Sequence, residues 1–311
     1  MNETPSPAAH IVPFYLASGA ENVALIRGRV ASIGSVATDI LGRHKYPLAV
    51  ASLQAEALAL AACLASTLKF DGVFTLQAKG DGYIKTLFAD MTSDGHLRGY
   101  SAFDAEAGAP VADDLVMSTP ADVPALLGSG YIAFTVDEEK TGGRYQGIVD
   151  LEGATLSDAA TRWFANSEQL DTAVMAAAHC TDGVWQARAI MLQRIAAEGG
   201  DASSQADREQ SDDAWHTART LMESLRRDEL VDPLLGPDAL IFRLFNSMEP
   251  HVAPSRDVID QCRCSPQRVQ TMLTQLDRAE IVDLADDEDK IEIICEFCKT
   301  TRQFHIDNIE A

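Results

Sequence analysis

Cys262-Arg263-Cys264 and Cys295-Glu296-Phe297-Cys298 are the two stretches on which the reading of this 311-residue chain turns. Thirty residues separate the two motifs, which hold four of the six cysteines in the chain. Zinc favours four soft or borderline ligands in a tetrahedron, and a Cys-x-x-Cys turn lets two sulfurs reach one ion. Ile291 and Ile293 before the second motif, and Phe304 and Ile306 after it, alternate with polar residues. That pattern predicts a β-hairpin with Glu296-Phe297 at its tip. Ser265-Pro266, just after the first motif, is a good N-cap and first-turn pair for a helix. Val269, Met272, Leu273 and Leu276 then fall on one helical face. Cys262 and Cys264 would sit at the positive end of that helix, which favours thiolates. The spacing therefore predicts one Zn²⁺ held by Cys262, Cys264, Cys295 and Cys298.

Residues 258–311 carry too few apolar side chains for much of a core. Metal binding would then act as folding free energy, on the order of 10 kcal/mol or more. Four thiolates on one divalent cation keep a net negative charge, with Arg263 and Lys299 close in sequence to offset it. Thiolates are the form that oxidants attack, and adjacent cysteines resolve one another into disulfides that no longer hold zinc in the same way. Oxidant sensing follows from this chemistry.

Upstream, the chain reads as α+β: an N-terminal helix-on-sheet core over residues 10–196, a helical linker over 197–257, and the small zinc-binding domain over 258–311. Residues 1–10 read as a loose tail and 104–125 as a loop. Leu48 to Leu68 is dense in Ala and Leu, as in a helix buried on most faces. Strand-like runs follow, among them 73–77, 83–88, 97–103, 131–136 and 145–151. Thr155 to Leu170 reads as helical, with Val174–Ala178 and Ala187–Ile195 as closing strands or partly buried segments. Gly80-Asp81-Gly82 lacks the spacing of a phosphate loop, so its glycines are expected to serve hairpin turns with positive φ. Cys63 reads as packed core, and Cys180, beside His179, as part of a turn edge. Residues 197–213 are small, polar and acidic, as in a linker. Trp215, Ala218, Leu221, Met222 and Leu225 then share one helical face, and Pro237 opens a further helix with Leu240, Ile241, Leu244 and Phe245. Helices this short are marginal alone, so the segment must dock on its neighbours.

The formal charge of −22, from 47 acidic against 25 basic residues, disfavours nucleic-acid binding, which needs clustered cations for phosphate. No apolar run of membrane-spanning length is expected, and the N-terminal residues MNETPSPAAH lack the basic-then-apolar pattern of a secretory signal. A cytoplasmic location is therefore expected, where close-spaced cysteines read as metal-binding or redox-active.

The sequence CRCS…ICEFC…F resembles the zinc-redox domain of the heat-shock protein 33 family, the redox-regulated chaperonins. LKFDG at 68–72, KGDG at 79–82, LRG at 97–99, GSGY at 128–131, RYQG at 144–147, LEG at 151–153 and SEQL at 167–170 extend the resemblance over nearly the whole chain. Lys79, where the family often has Gln, and the long acidic stretch at 197–213 depart from the pattern. The resemblance implies a chaperone holdase rather than an enzyme, inactive while reduced and zinc-bound. It implies that hypochlorous acid, or peroxide with heat, forms disulfides Cys262–Cys264 and Cys295–Cys298 and releases zinc. The linker would then unfold and unfolded client proteins would bind, with the activated protein a homodimer. Two other readings compete: a zinc-ribbon module that binds a protein or nucleic-acid partner without redox switching, and a thiol–disulfide oxidoreductase using Cys295 and Cys298. The second would place its pair between a strand and a helix start, with no need of the first pair.

Overall fold

The computed structural model describes residues 9–17, 23–67, 71–107, 123–151, 153, 155–168, 170–195 and 205–309. The first eight residues of the N-terminal tail, most of the 104–125 loop, Leu68 to Phe70 of the LKFDG motif and the acidic stretch up to residue 204 lie outside the described residues. The tail does not extend to residue 10, since Ala9 is buried and His10 opens a strand. The chain divides into two compact units, residues 1–260 and 261–311.

The larger unit runs β1 (His10–Ala17), β2 (Ala24–Ser32), α1 (Gly34–Gly42), α2 (Leu48–Ala65), β3 (Gly72–Gly80), β4 (Ile84–Thr92), β5 (His96–Phe103), α3 (Val123–Leu127), β6 (Gly130–Glu138) and β7 (Arg144–Asp150). It continues through α4 (Leu156–Trp163), β8 (Thr172–Thr181), β9 (Val184–Arg194), α5 (Gln205–Glu223), α6 (Arg227–Leu230), α7 (Pro237–Phe245), β10 (His251–Val252), β11 (Arg256–Asp257) and β12 (Ile259–Asp260). The class is α+β as expected, but the strands form two six-stranded sheets rather than one. The β1 sheet has the order β10-β1-β2-β9-β8, with β11 also on β1; the β3 sheet has the order β12-β5-β4-β3-β6-β7.

Helix α2 packs against strands of both sheets. This is why it is apolar all round: every residue but Leu48 is buried. By length and hydropathy it could cross a membrane, contrary to the expectation that no such run exists, yet 94% of it is buried inside the fold. Its two long polar side chains are buried and used. Gln54 donates to the Phe88 carbonyl at 3.0 Å and accepts from the Ser101 hydroxyl at 2.7 Å. Glu56 forms an ion pair with Arg227 of α6.

The β1 sheet is apolar on both faces. Ile11, Ala31, Ala189 and Met191 join the core around α2, whereas Val12, Phe14, Leu16, Ile26, Val30, Ile190 and Leu192 face the other way. That outer face is covered by Ala214, Ala218 and Met222 of α5, Leu230 of α6, and Leu240, Ile241 and Phe245 of α7, with Leu225 and Val231 between them and Met248 just after α7. Trp215, Leu221 and Leu244 pack at the margin, so the apolar stripe read from the sequence does cover this sheet. Phe14 stacks on Phe245 at 5.7 Å between ring centroids. Gly28 makes room for this pair, because a Cβ there would lie 2.0 Å from the Phe14 ring. The acidic stretch is not linker throughout, since α5 begins at Gln205. After α7 the chain pairs with both sheets in succession: β10 and β11 run antiparallel to β1, and β12 runs parallel to β5.

The KGDG and GSGY motifs interlock. The Asp81 and Gly82 amides donate to the carbonyls of Ser129 and Leu127 at 3.0 and 2.9 Å, and the Ser129 amide donates to the Asp81 carboxylate at 2.8 Å. Gly80 and Gly82 are not at positive φ, contrary to the hairpin expectation. They are there for close approach: a Cβ at Gly80 would lie 1.9 Å from the Leu127 carbonyl oxygen.

The smaller unit contains α8 (Pro266–Leu273), α9 (Arg278–Leu284), β13 (Lys290–Ile294) and β14 (Thr301–His305). Its core is Leu273, Ile281, Ile291, Ile306 and Ile309, flanked by residues that include Val269, Leu276, Ile293 and Phe304. Met272, expected on the buried stripe, is 47% exposed. It stands at the edge of a face too narrow to include it.

Gly80→Ala should lower stability by about 2 kcal/mol, as overpacking against a backbone does. Gly42→Ala, at a position where a Cβ meets nothing within 4 Å, should raise it by about 0.5 kcal/mol by restricting the unfolded chain. Urea unfolding of the two variants checks both signs.

Candidate metal centre

The four sulfurs reach one point from two local structures. Ser265 caps α8, its hydroxyl accepting from the Arg268 amide at 3.1 Å, and this fixes the chain just after Cys264. The Arg268 guanidinium holds the Arg263 carbonyl at 2.8 Å, within the first motif. The second motif lies at the tip of the β13–β14 hairpin, as expected. There the Cys295 amide donates to the Thr300 carbonyl at 3.0 Å and the Lys299 amide to the Cys295 carbonyl at 2.8 Å. Lys299 sits at φ 55°, which lets the chain turn back tightly after Cys298.

The Sγ atoms of Cys262, Cys264, Cys295 and Cys298 all lie within 4.8 Å of one another, and each residue is half-buried. Cys262 and Cys295 are 3.8 Å apart at sulfur, and Cys264 and Cys298 are 3.5 Å apart. Four sulfurs at about 2.3 Å from a central zinc stand about 3.8 Å apart along each tetrahedral edge. The cluster therefore fits a four-thiolate zinc site. All six cysteines are unbridged thiols.

The electrostatics of the cluster point the same way. Burial, then hydrogen bonding to the other three sulfurs, pushes the Cys264 thiol up to about 12. Burial acts to raise Cys298 as well, but hydrogen bonds from the Thr300 hydroxyl and amide, with those of Cys264 and Cys295, bring it down to about 6. Four sulfurs this close cannot all be anionic without a cation among them, so the protons are shared unequally. A divalent cation removes that conflict.

Two contributors were not found by sequence proximity. Arg302 of β14 directs Nη2 to the Cys264 sulfur at 3.3 Å, and Thr300 contacts the Cys298 sulfur at 3.2 Å. Lys299, expected to offset the thiolate charge, is engaged with Glu296 at 2.8 Å. The signal for Arg302 was hairpin register, since it pairs directly with Ile293 across the strands. Cys63 and Cys180 lie outside the cluster. Cys63 is fully buried, and burial raises its thiol to about 12. Cys180 is the next-to-last residue of β8, paired with Trp185 beside the turn into β9, in keeping with the turn-edge expectation.

The family model described as Hsp33 protein matches residues 15–305. A 33 kDa chaperonin from Caulobacter vibrioides is 36% identical over 277 residues, which cover 88% of each chain. A 33 kDa chaperonin from Ectopseudomonas mendocina is 32% identical over 90% of this chain and 88% of its own. The crystal structure of a 33 kDa chaperonin, described as a heat shock protein 33 homolog, from Thermotoga maritima shares the fold with a TM-score of 0.79. It is 20% identical and covers 96% of both chains. The chain belongs to the Hsp33 protein family.

Proposed function

We propose that this protein is a redox-switched holdase of the cytoplasm, a binding protein rather than a catalyst. In the reduced state Cys262, Cys264, Cys295 and Cys298 hold one Zn²⁺ and the protein is idle. Oxidation converts the ligands to the disulfides that the family resemblance implies, Cys262–Cys264 and Cys295–Cys298. The zinc is released, the helical cover over the β1 sheet leaves, and unfolded client proteins bind the exposed surfaces, with dimerisation on activation. Zinc here supplies cohesion alone, by drawing four thiolates together in a unit whose apolar core is small.

The observation that carries this reading is the apolar outer face of the β1 sheet, covered by α5 to α7, in a chain that leads directly into Cys262. Between α7 and the first cysteine lie β10, β11 and β12, each of two residues. Such short pairings hold little on their own. Unfolding of the 261–311 unit would leave them frayed at one end, with the helical cover next in line. The Cys-x-x-Cys turn between β13 and β14 lacks the strand-to-helix setting that a thiol–disulfide oxidoreductase would use.

Cys298→Ser should abolish stoichiometric zinc retention and erase amide-exchange protection over residues 266–306 while leaving the β3 sheet protected. Zinc analysis with exchange mass spectrometry reads both, and a 261–311 unit that stays protected without metal would overturn the role given to zinc. Treatment of the zinc-loaded reduced protein with hypochlorous acid should release the metal and suppress light scattering by a heat-unfolded client. If zinc leaves and the client aggregates as fast as without the protein, the holdase reading is wrong. Peptide mapping of the same sample tests the two disulfides.

A further inference from the structure

Beneath the helical cover, two arginines cross the same interface in opposite directions. Arg227, the first residue of α6, reaches down into the core: its guanidinium pairs with Glu56 of α2 and donates to the Ala176 carbonyl of β8 at 2.6 Å. Glu56 is 2% exposed and the Arg227 side chain 11%. Arg188 of β9 reaches up from the core, donating to the Leu230 carbonyl at the end of α6 at 3.1 Å and to the Leu235 carbonyl beyond it. Its Nε is held by the Ser32 hydroxyl at 3.1 Å, and the residue is 3% exposed. The core thus receives a cation from the cover, and the cover receives a cation from the core, both at the four-residue helix α6.

Maximum stability does not account for this arrangement. A buried ion pair is often no better than apolar residues of the same volume, whereas removing one partner strands a charge out of water. The Nε of Arg227 is itself buried without an acceptor among the described residues. What such pairs supply well is register. If the cover slides by a fraction of a turn while still excluding water, Glu56 loses its cation and the Leu230 and Leu235 carbonyls lose their donor. If the cover leaves altogether, water solvates every one of these groups. Intermediate positions are therefore worse than either end.

We propose that Glu56, Arg188 and Arg227 form a two-way clamp that makes release of α5 to α7 all-or-none and sets its threshold independently of the metal. The clamp rests on the reading of these helices as a releasable cover. Arg188 and Arg227 are positioning residues, far along the chain from the cysteines.

A double-substitution cycle tests the clamp on the full-length, reduced, zinc-loaded chain. Arg227→Met and Glu56→Met, made singly, should each raise amide exchange across residues 205–245 at least tenfold. One zinc per chain should remain, and exchange in β3 to β6 should be unchanged. The double variant, with two apolar side chains facing each other, should return to within about threefold of the wild-type rate. Unchanged exchange in the singles would overturn the clamp, and so would a double variant that exchanges as fast as the worse single. If the singles unfold, the double decides alone: a docked cover upholds the clamp, and an undocked or unfolded one overturns it. Client scattering on the same samples separates the two ideas. A single variant that undocks with zinc bound yet leaves client aggregation unaltered keeps the clamp and removes the covered face as the client surface.

Discussion

The β1 sheet has two apolar faces, and the rest of the molecule is arranged to keep both from water. One face is provided for by α2, the most buried element of the chain. The other has the longer α5, the four-residue α6 and the proline-started, nine-residue α7, of which the last two are too short to persist without docking. A sheet buried on one side by a core helix and on the other by such a segment is stable only while the segment stays. Hydrophobic burial scales with area and has no direction, so the same residues that hold the cover down form an exposed apolar surface once it lifts. Stability and the proposed activity are two states of one interface.

The small unit brings a different kind of energy to this balance. Five buried apolar residues form its centre, too few to offset the conformational entropy of some fifty ordered residues. In the proposed account a four-thiolate zinc site would supply the missing cohesion, and oxidation of its ligands would remove it. The buried arginines of the larger unit work by geometry instead, making partial movement of the cover unfavourable. In this account the metal decides whether the cover is tethered at its C-terminal end, and the clamp decides how abruptly it goes.

Much of the small unit was legible in the residues. Ile291 and Ile293 alternate as a strand must, and Ser265-Pro266 marks a helix start that the structure confirms at the same residue. Pro237 likewise opens α7. In the larger unit the all-round apolarity of α2 shows burial on every side but not by what. Its partners β8 and β9 lie more than a hundred residues downstream, and sequence periodicity carries no information on pairing at that distance. The early start of α5 was hidden because its first turns are mostly polar and, among the side chains described, its buried apolar ones begin at Ala214. Arg302 and the Arg227–Glu56 pair were hidden for a related reason: charge contacts need register, and Glu56 and Arg227 are 171 residues apart.

The central claim is that loss of zinc uncovers the outer face of the β1 sheet while the α2 core stays closed. Covalent footprinting of side chains tests it directly. Phe14, Ile26 and Leu192 face the cover, and Phe74 and Leu76 face α2; all five are fully buried. The account predicts that oxidative zinc release exposes the first three to labelling and leaves the last two protected. Labelling of Phe14, Ile26 and Leu192 that does not change when zinc leaves would contradict it.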